Sequence, residues 1–164
     1  MQLTGRQILE KGIITNSVPE GYQQQGIDVR IKTVKKFLVQ ANGKVHRDRT
    51  ELPKPESVVE IYPIDGYYTL SPGYYEITME EGCNMQDRYA MYLKTRSSLC
   101  RCGSEIVGGQ FDAGFKTDSI GCFLEVRLPI HIETGARVAQ CIVNETEVVD
   151  NLYDGQWQND KQRK

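Results

Sequence analysis

The feature that most constrains this chain is a long succession of short β-prone runs separated by turn residues. Ile27, Val29 and Ile31 alternate with Asp28, Arg30 and Lys32, the period of a half-buried strand. Further runs are Phe37-Leu38-Val39, Val58-Val59-Glu60-Ile61-Tyr62, Tyr67-Tyr68-Thr69-Leu70, Tyr74-Tyr75-Glu76-Ile77-Thr78 and Ala90-Met91-Tyr92-Leu93-Lys94. Cys122-Phe123-Leu124-Glu125-Val126, Ile130-His131-Ile132 and the stretch from Arg137 to Val143 complete the series. Gly, Pro, Asn and Asp punctuate them, which predicts an all-β sandwich or barrel. The nine tyrosines suit pleated, half-buried positions.

Two segments depart from this pattern. Thr4-Gly5-Arg6-Gln7 has the form of a capping box, and Gly12 offers a stop, so a short helix is expected over residues 5–11. Residues 153–164 form a polar, basic tail carrying the chain's one tryptophan, Trp157. Such a tail is either a frayed end or an arm that folds over a ligand. The chain therefore divides into a β domain, residues 1–152, and an arm, residues 153–164.

Composition narrows the function. A length of 164 residues suits one domain, and a formal net charge of -2 argues against a general binder of nucleic acid or membrane surfaces. The N-terminus lacks a signal-peptide pattern, and no run approaches the roughly 20 apolar residues that span a bilayer, so a cytoplasmic protein is expected. Five scattered cysteines do not make a disulfide framework. Cys100-x-Cys102 lacks zinc-site spacing and reads as small side chains beside an arginine. His46 and His131 read as structural, and Lys35-Lys36 as a solvated pair.

Two stretches concentrate chemistry. Arg96-Ser97-Ser98-Leu99-Cys100-Arg101 brings two guanidinium groups and two hydroxyls together, a donor set suited to a polyphosphate. Gly108-Gly109-Gln110-Phe111-Asp112-Ala113-Gly114-Phe115 combines glycines that permit close backbone approach, a carboxylate able to orient water, and a flat ring. Each also has a plain reading, the first as a helix N-cap or solvated turn and the second as a β-hairpin turn with an ordinary Asp.

Taken in order, Gly26-Ile27-Asp28-Val29-Arg30, Arg96-Ser97-Ser98-Leu99-x-Arg101-x-Gly103, Gly109-x-x-Asp112-Ala113-Gly114-Phe115 and Gly135-x-Arg137-x-Ala139-Gln140 resemble the ordered motifs of the dUTPase and dCTP deaminase superfamily. The start, Arg6-Gln7-Ile8-Leu9, and the ending, Tyr153-x-Gly155-Gln156-Trp157-Gln158, are similar to its deaminase-like branch. The resemblance implies a distorted β-barrel with a short N-terminal helix, assembled as a homotrimer with active sites at subunit interfaces. It implies that Arg96, Ser97, Ser98 and Gln140 contact a triphosphate, and that the hairpin with Gly108 and Gly109 reads a pyrimidine through its backbone. Phe115 would pack on a deoxyribose, and Tyr153, Gln156, Trp157, Gln158 and Lys161 would belong to the closing arm.

Two reactions fit that scaffold. In one, Asp112 holds a water for attack on the α-phosphorus of dUTP, with Mg2+ carried mainly by the triphosphate. In the other, Glu125 is the general base of a zinc-free dCTP deamination, supported by Ser97 and Arg101. The hairpin and the Gly135–Gln140 motif resemble the dUTPase pattern, while Glu125 and Arg101 match the deaminase, so a bifunctional enzyme is also open. The expectation adopted is dUTP hydrolysis. A nucleotide-sensing module without turnover is a further alternative. Position 115 is Phe where many dUTPases have Tyr, and the turn over residues 116–121 is longer than usual.

Overall fold

A computed structural model describes residues 1–38 and 42–160. The chain is organised around one long strand, Gly26–Phe37. Its first half pairs antiparallel with Arg137–Glu145 and its second half with Gly73–Met79. Both pairings carry a register shift, at Arg137/Ala139 and at Ile31/Thr33. Such irregularities increase local twist, so the strand bends as it passes from one partner to the other.

The main sheet runs Ser104–Val107, Gly121–Val126, Gly73–Met79, Gly26–Phe37, Arg137–Glu145, Tyr89–Thr95, Gln110–Phe111, with Tyr22–Gln23 and Val58–Ile61 also paired to the long strand. Its two edges, Ser104–Val107 and Gln110–Phe111, are joined in sequence by Gly108 and Gly109 alone. The sheet must therefore curl until its edges approach. The Ile106 amide donates to Thr95 Oγ1 at 3.0 Å across this seam. The result is an all-β, curled half-barrel with few helices, as the sequence pattern predicts. Its interior holds Ile27, Val29, Ile31, Val34, Ile77, Met79, Met91 and Leu124, all fully buried. Each such side chain contributes about 1.5–3 kcal/mol by leaving water.

The N-terminal helix is Gly5–Glu10, one residue shorter than expected, and its capping box is formed. The Gln7 amide donates to Thr4 Oγ1 at 3.3 Å, and the Thr4 amide to Gln7 Oε1 at 2.9 Å. A small sheet of Ile14–Thr15, Gly82–Asn84 and Lys116–Thr117 sits beside the half-barrel. It is tied in by Glu81, fully buried, which accepts from Arg30 Nε at 2.6 Å and from the Arg30 amide at 2.7 Å. The long turn after Phe115 is part of this structure. Its Ile120 is fully buried, and Ser119 Oγ donates to the Met79 carbonyl at 2.6 Å.

Two expectations need correction. Phe37 ends the long strand rather than starting another, and Val39 of that run lies outside the described residues. Simple alternation would expose Asp28, yet Asp28 is 2% exposed, because residues 26–29 are buried on both faces. Ser97–Arg101, whose plain reading is a helix N-cap or a solvated turn, is a short helix with Arg96 at its N-cap. All five cysteines are described and none is in a disulfide. Among the described residues no helix is long and apolar enough to cross a membrane.

Candidate active site

Buried Asp28 is the centre of the first cluster. Arg96 Nε lies 2.9 Å from its Oδ2 and Arg137 Nη1 lies 3.6 Å from the same atom, while Gln140 Nε2 donates to Oδ1 at 3.3 Å. Burial pushes the Asp28 carboxyl above its ordinary range, against the opposing pull of Arg96, Arg137 and Gln140. One carboxylate thus fixes two guanidinium groups, and both are about a third exposed. Arg96 Nη1 also donates to the Arg137 carbonyl at 3.2 Å, and Arg137 Nη1 to the Glu20 carbonyl. The cluster carries more positive than negative charge and opens into a polar cleft lined by Gln23, Asp28, Lys94, Thr95, Arg96, Ser97 and Gln140.

Local sequence explains this placement. Lys94 and Gln140 are direct partners in the Tyr89–Thr95 and Arg137–Glu145 ladder, and Gln140 and Asp28 are partners in the next. Side chains at paired positions share a face of the sheet. A Cβ at Gly26 would lie 2.4 Å from the Cys141 carbonyl and 2.9 Å from Gln140 Cγ, so glycine lets Gln140 close over the strand. The Ser97–Arg101 helix begins where the Tyr89–Thr95 strand ends, and Leu99 anchors it in the core. Arg96 sits at its N-cap without a side-chain cap, and Ser97 and Ser98 are exposed in its first turn. The first N–H groups of any helix lack intrahelical partners. Arg101 is exposed in the last turn.

The second cluster is the Gly108–Lys116 hairpin. It joins the first through a shared strand, since Gln110 pairs with Tyr92, two residues before Lys94. Asp112 is exposed, and its Oδ1 accepts from Gln110 Nε2 at 2.8 Å. A Cβ at Gly109 would meet nothing within 4 Å, and one at Gly108 only ordinary contacts at 3.7 Å. Packing within the chain therefore does not require either glycine. Phe115 is 9% exposed, with the Phe111 ring 5.4 Å away and the Tyr153 ring edge-on at 5.3 Å.

The arm lies on this hairpin. The Tyr153 amide donates to the Ala113 carbonyl at 2.9 Å, and Gln158 bonds the backbone at Gly114 and Lys116, both at 2.8 Å. Gly114 has φ +88°, and a Cβ there would come within 2.7 Å of Leu152 Cβ and 2.9 Å of the Tyr153 nitrogen. Only glycine satisfies both the backbone and the packing. Gln156 and Trp157 are exposed, and Lys161 lies outside the described residues.

Glu125 belongs to neither cluster by its contacts. It shares the outer face of its strand with Phe123, and Arg127 Nη2 donates to its Oε2 at 3.1 Å. The same guanidinium reaches Glu105 Oε2 at 2.9 Å. The Arg127 hydrogen bond, then its charge, hold the Glu125 carboxyl below its ordinary range. Asp28, Arg137, Gln23, Lys94 and Thr95 are the residues that sequence reasoning left out of the site. The first two stood inside recognised motifs, but neither an alternating pattern nor a charge count marks a buried ion pair.

The dCTP deaminase-like family model matches residues 2–146 of this chain. The chain belongs to the dCTP deaminase-like family. Among curated relatives of this family member is the probable deoxyuridine 5'-triphosphate nucleotidohydrolase of Methanosarcina mazei. It is 30% identical over 142 residues, covering 84% of this chain and 81% of that protein. The deoxyuridine 5'-triphosphate nucleotidohydrolase of Methanocaldococcus jannaschii is 27% identical over 149 residues, covering 88% and 92%. Among solved structures, the 2'-deoxycytidine 5'-triphosphate deaminase of Agrobacterium tumefaciens has the same fold. The TM-score is 0.60 at 12% identity, over 88% of this chain. This chain spans about half of that deaminase, 48% of its length.

Proposed function

We propose that this protein is a dUTP diphosphatase, hydrolysing dUTP to dUMP and pyrophosphate. The observation that carries this reading is the polar cleft, in which buried Asp28, paired behind with Arg137, holds Arg96 beside Ser97 and Gln140. Fixed guanidinium groups suit a polyanion, because their geometry needs no rearrangement when charge develops on the phosphates. Arg96, Ser97, Ser98 and Gln140 would contact the triphosphate. The unobstructed backbone at Gly108 and Gly109 would meet the pyrimidine, and Phe115 the deoxyribose. Tyr153, Gln156, Trp157, Gln158 and Lys161 would form the closing arm.

Asp112 is the residue we assign to water. It is exposed at the hairpin, with Gln110 Nε2 on one oxygen. It would accept a hydrogen bond from a water and hold it in line with the α-phosphorus; the bond to the bridging oxygen then breaks and pyrophosphate leaves. Among the described residues no group of three His, Cys, Asp or Glu side chains could hold a metal. Within the cleft lining the carboxylate is that of Asp28, whose Oδ2 is buried without an aligned hydrogen bond. That oxygen faces the Arg96 and Arg137 guanidinium groups and is not available to a cation, so a divalent ion, Mg2+ in this reading, would be carried by the substrate's phosphates rather than by the cleft. When bound, such an ion neutralises phosphate charge and fixes its geometry.

The family name keeps dCTP deamination, with Glu125 as base aided by Ser97 and Arg101, as the competing reading. Glu125 is engaged by Arg127 and is not among the residues that line the Asp28 cleft, which favours hydrolysis. We also propose a homotrimer with sites at subunit interfaces. The outward Tyr74 and Phe123 rings, stacked at 5.0 Å beside Phe37, support an interface between copies. Light scattering would measure that assembly. The functional reading is tested with Asp112→Asn: pyrophosphate release from dUTP should fall by about 10²–10⁴, with dUTP binding retained. Full activity in that variant would remove Asp112 from the mechanism.

A further inference from the structure

The backbone around Phe115 can be followed group by group. The Gly114 amide donates to the Gln86 carbonyl, the Phe115 amide to the Asp112 carbonyl at 3.1 Å, and the Phe115 carbonyl accepts from the Met85 amide at 2.9 Å. These three bonds lie within the β domain. Two groups between them are left, the Gly114 carbonyl and the Lys116 amide, one acceptor and one donor on either side of the ring. A single side chain from the arm takes both. Gln158 Nε2 donates to the Gly114 carbonyl at 2.8 Å, and Gln158 Oε1 accepts from the Lys116 amide at 2.8 Å. Gln158 Nε2 also donates to the Tyr153 carbonyl at 3.1 Å, and the Tyr153 ring stands edge-on to Phe115.

A carboxamide of this length offers N–H donors and a carbonyl acceptor in one fixed plane. A carboxylate at position 158 would accept from Lys116 but face two carbonyl oxygens with no proton to give. A thioether would leave both backbone groups unpaired. The orientation of the amide is set by the network itself, since the Lys116 nitrogen can only donate and the Gly114 oxygen can only accept.

We infer that Gln158 is a positioning residue for Phe115, clipping the backbone on both sides of the ring so that the arm of the chain sets selectivity for deoxyribose over ribose. The inference rests on the proposed reading of Phe115 as the sugar contact. It replaces a direct substrate role for Gln158 with an indirect one. The sugar's 2' position is judged by a surface whose placement depends on a bond made from outside the hairpin.

The experiment uses the full chain and three proteins: wild type, Gln158→Met, which is similar in length but makes neither bond, and Gln158→Glu, which keeps the acceptor alone. Hydrogen exchange at the Lys116 amide, without nucleotide, reads the clip. It should be protected in wild type and exchange at least tenfold faster in Gln158→Met. Calorimetric Kd values for the α,β-imido analogues of dUTP and UTP read selectivity without turnover, with the dCTP and CTP pair measured alongside. The ribo-to-deoxy Kd ratio should fall at least tenfold in both variants. An unchanged ratio despite lost protection would overturn the positioning role. So would tighter binding of both nucleotides in the variants, which would make the docked arm an obstruction. Pyrophosphate release by wild type tests the diphosphatase reading separately: selective binding of dCTP without hydrolysis of dUTP would sink that reading and leave the clip standing.

Discussion

Replacing Arg96 by Met tests the electrostatic core of the cleft. Asp28 is 2% exposed and has Arg96 Nε at 2.9 Å and Arg137 Nη1 at 3.6 Å. Removing one partner from a buried ion pair costs about 3–5 kcal/mol. Arg137 stays, and Arg96 is itself 29% exposed, so the loss should lie lower, at about 2–3 kcal/mol. In urea that corresponds to a midpoint shift of about 1 M. The effect has a pH signature. The folded Asp28 carboxyl already sits above its ordinary range through burial, and Arg96 is the largest influence pulling it down. Without Arg96 it rises further. A raised folded carboxyl contributes stability that is present below the unfolded value and lost as pH rises through the folded one. The Arg96→Met deficit should therefore be larger at pH 7 than at pH 5, with wild type measured at each pH and one protein concentration. Adding Asp28→Asn removes the stranded charge, so the double variant should be more stable than the sum of the single losses by about 2 kcal/mol. Equal deficits at the two pH values, or strict additivity, would refute this account of the cleft.

Other outcomes follow from the same contacts. Glu125→Gln removes the partner of Arg127 on an exposed face; dUTP hydrolysis and the thermal midpoint should be unchanged, whereas a loss of pyrophosphate release would bring Glu125 into the hydrolytic site. Gly114→Ala meets φ +88° and atoms of Leu152 and Tyr153 within 2.9 Å, a strain of about 1–3 kcal/mol. The arm should lift, seen as increased acrylamide quenching of Trp157, and unchanged quenching would show that the arm does not need glycine there. Thr4→Ala removes the capping box and should cost about 1 kcal/mol in chemical unfolding.

Much of the fold was legible because its signals are local. Thr4 and Gln7 stand three residues apart, so the cap could be read without knowing what the helix packs on. Runs such as Tyr89–Thr95 and Arg137–Glu145 carry their own alternation and β-branched or aromatic content. What escaped is set by distant partners. Asp28 looks like a solvent-facing residue until Arg96 and Arg137 arrive from segments far along the chain. Ser97–Arg101 is too short for helical periodicity to register. In the hairpin, Asp112 and Phe115 were named from their motif, but the pairing of Gln158 with Gly114 and Lys116 depends on where the arm returns. The turn over residues 116–121, longer than usual, contributes Lys116–Thr117 to the small sheet and Ile120 to the core through partners that no local pattern announces.

The central claim is the choice of bond broken, and one incubation measures it. The unmodified protein is given dUTP and dCTP separately with Mg2+, and pyrophosphate and ammonia are both quantified. This account predicts pyrophosphate and dUMP from dUTP, with no ammonia from dCTP. Ammonia from dCTP with no pyrophosphate from dUTP would contradict it and return the chemistry to Glu125.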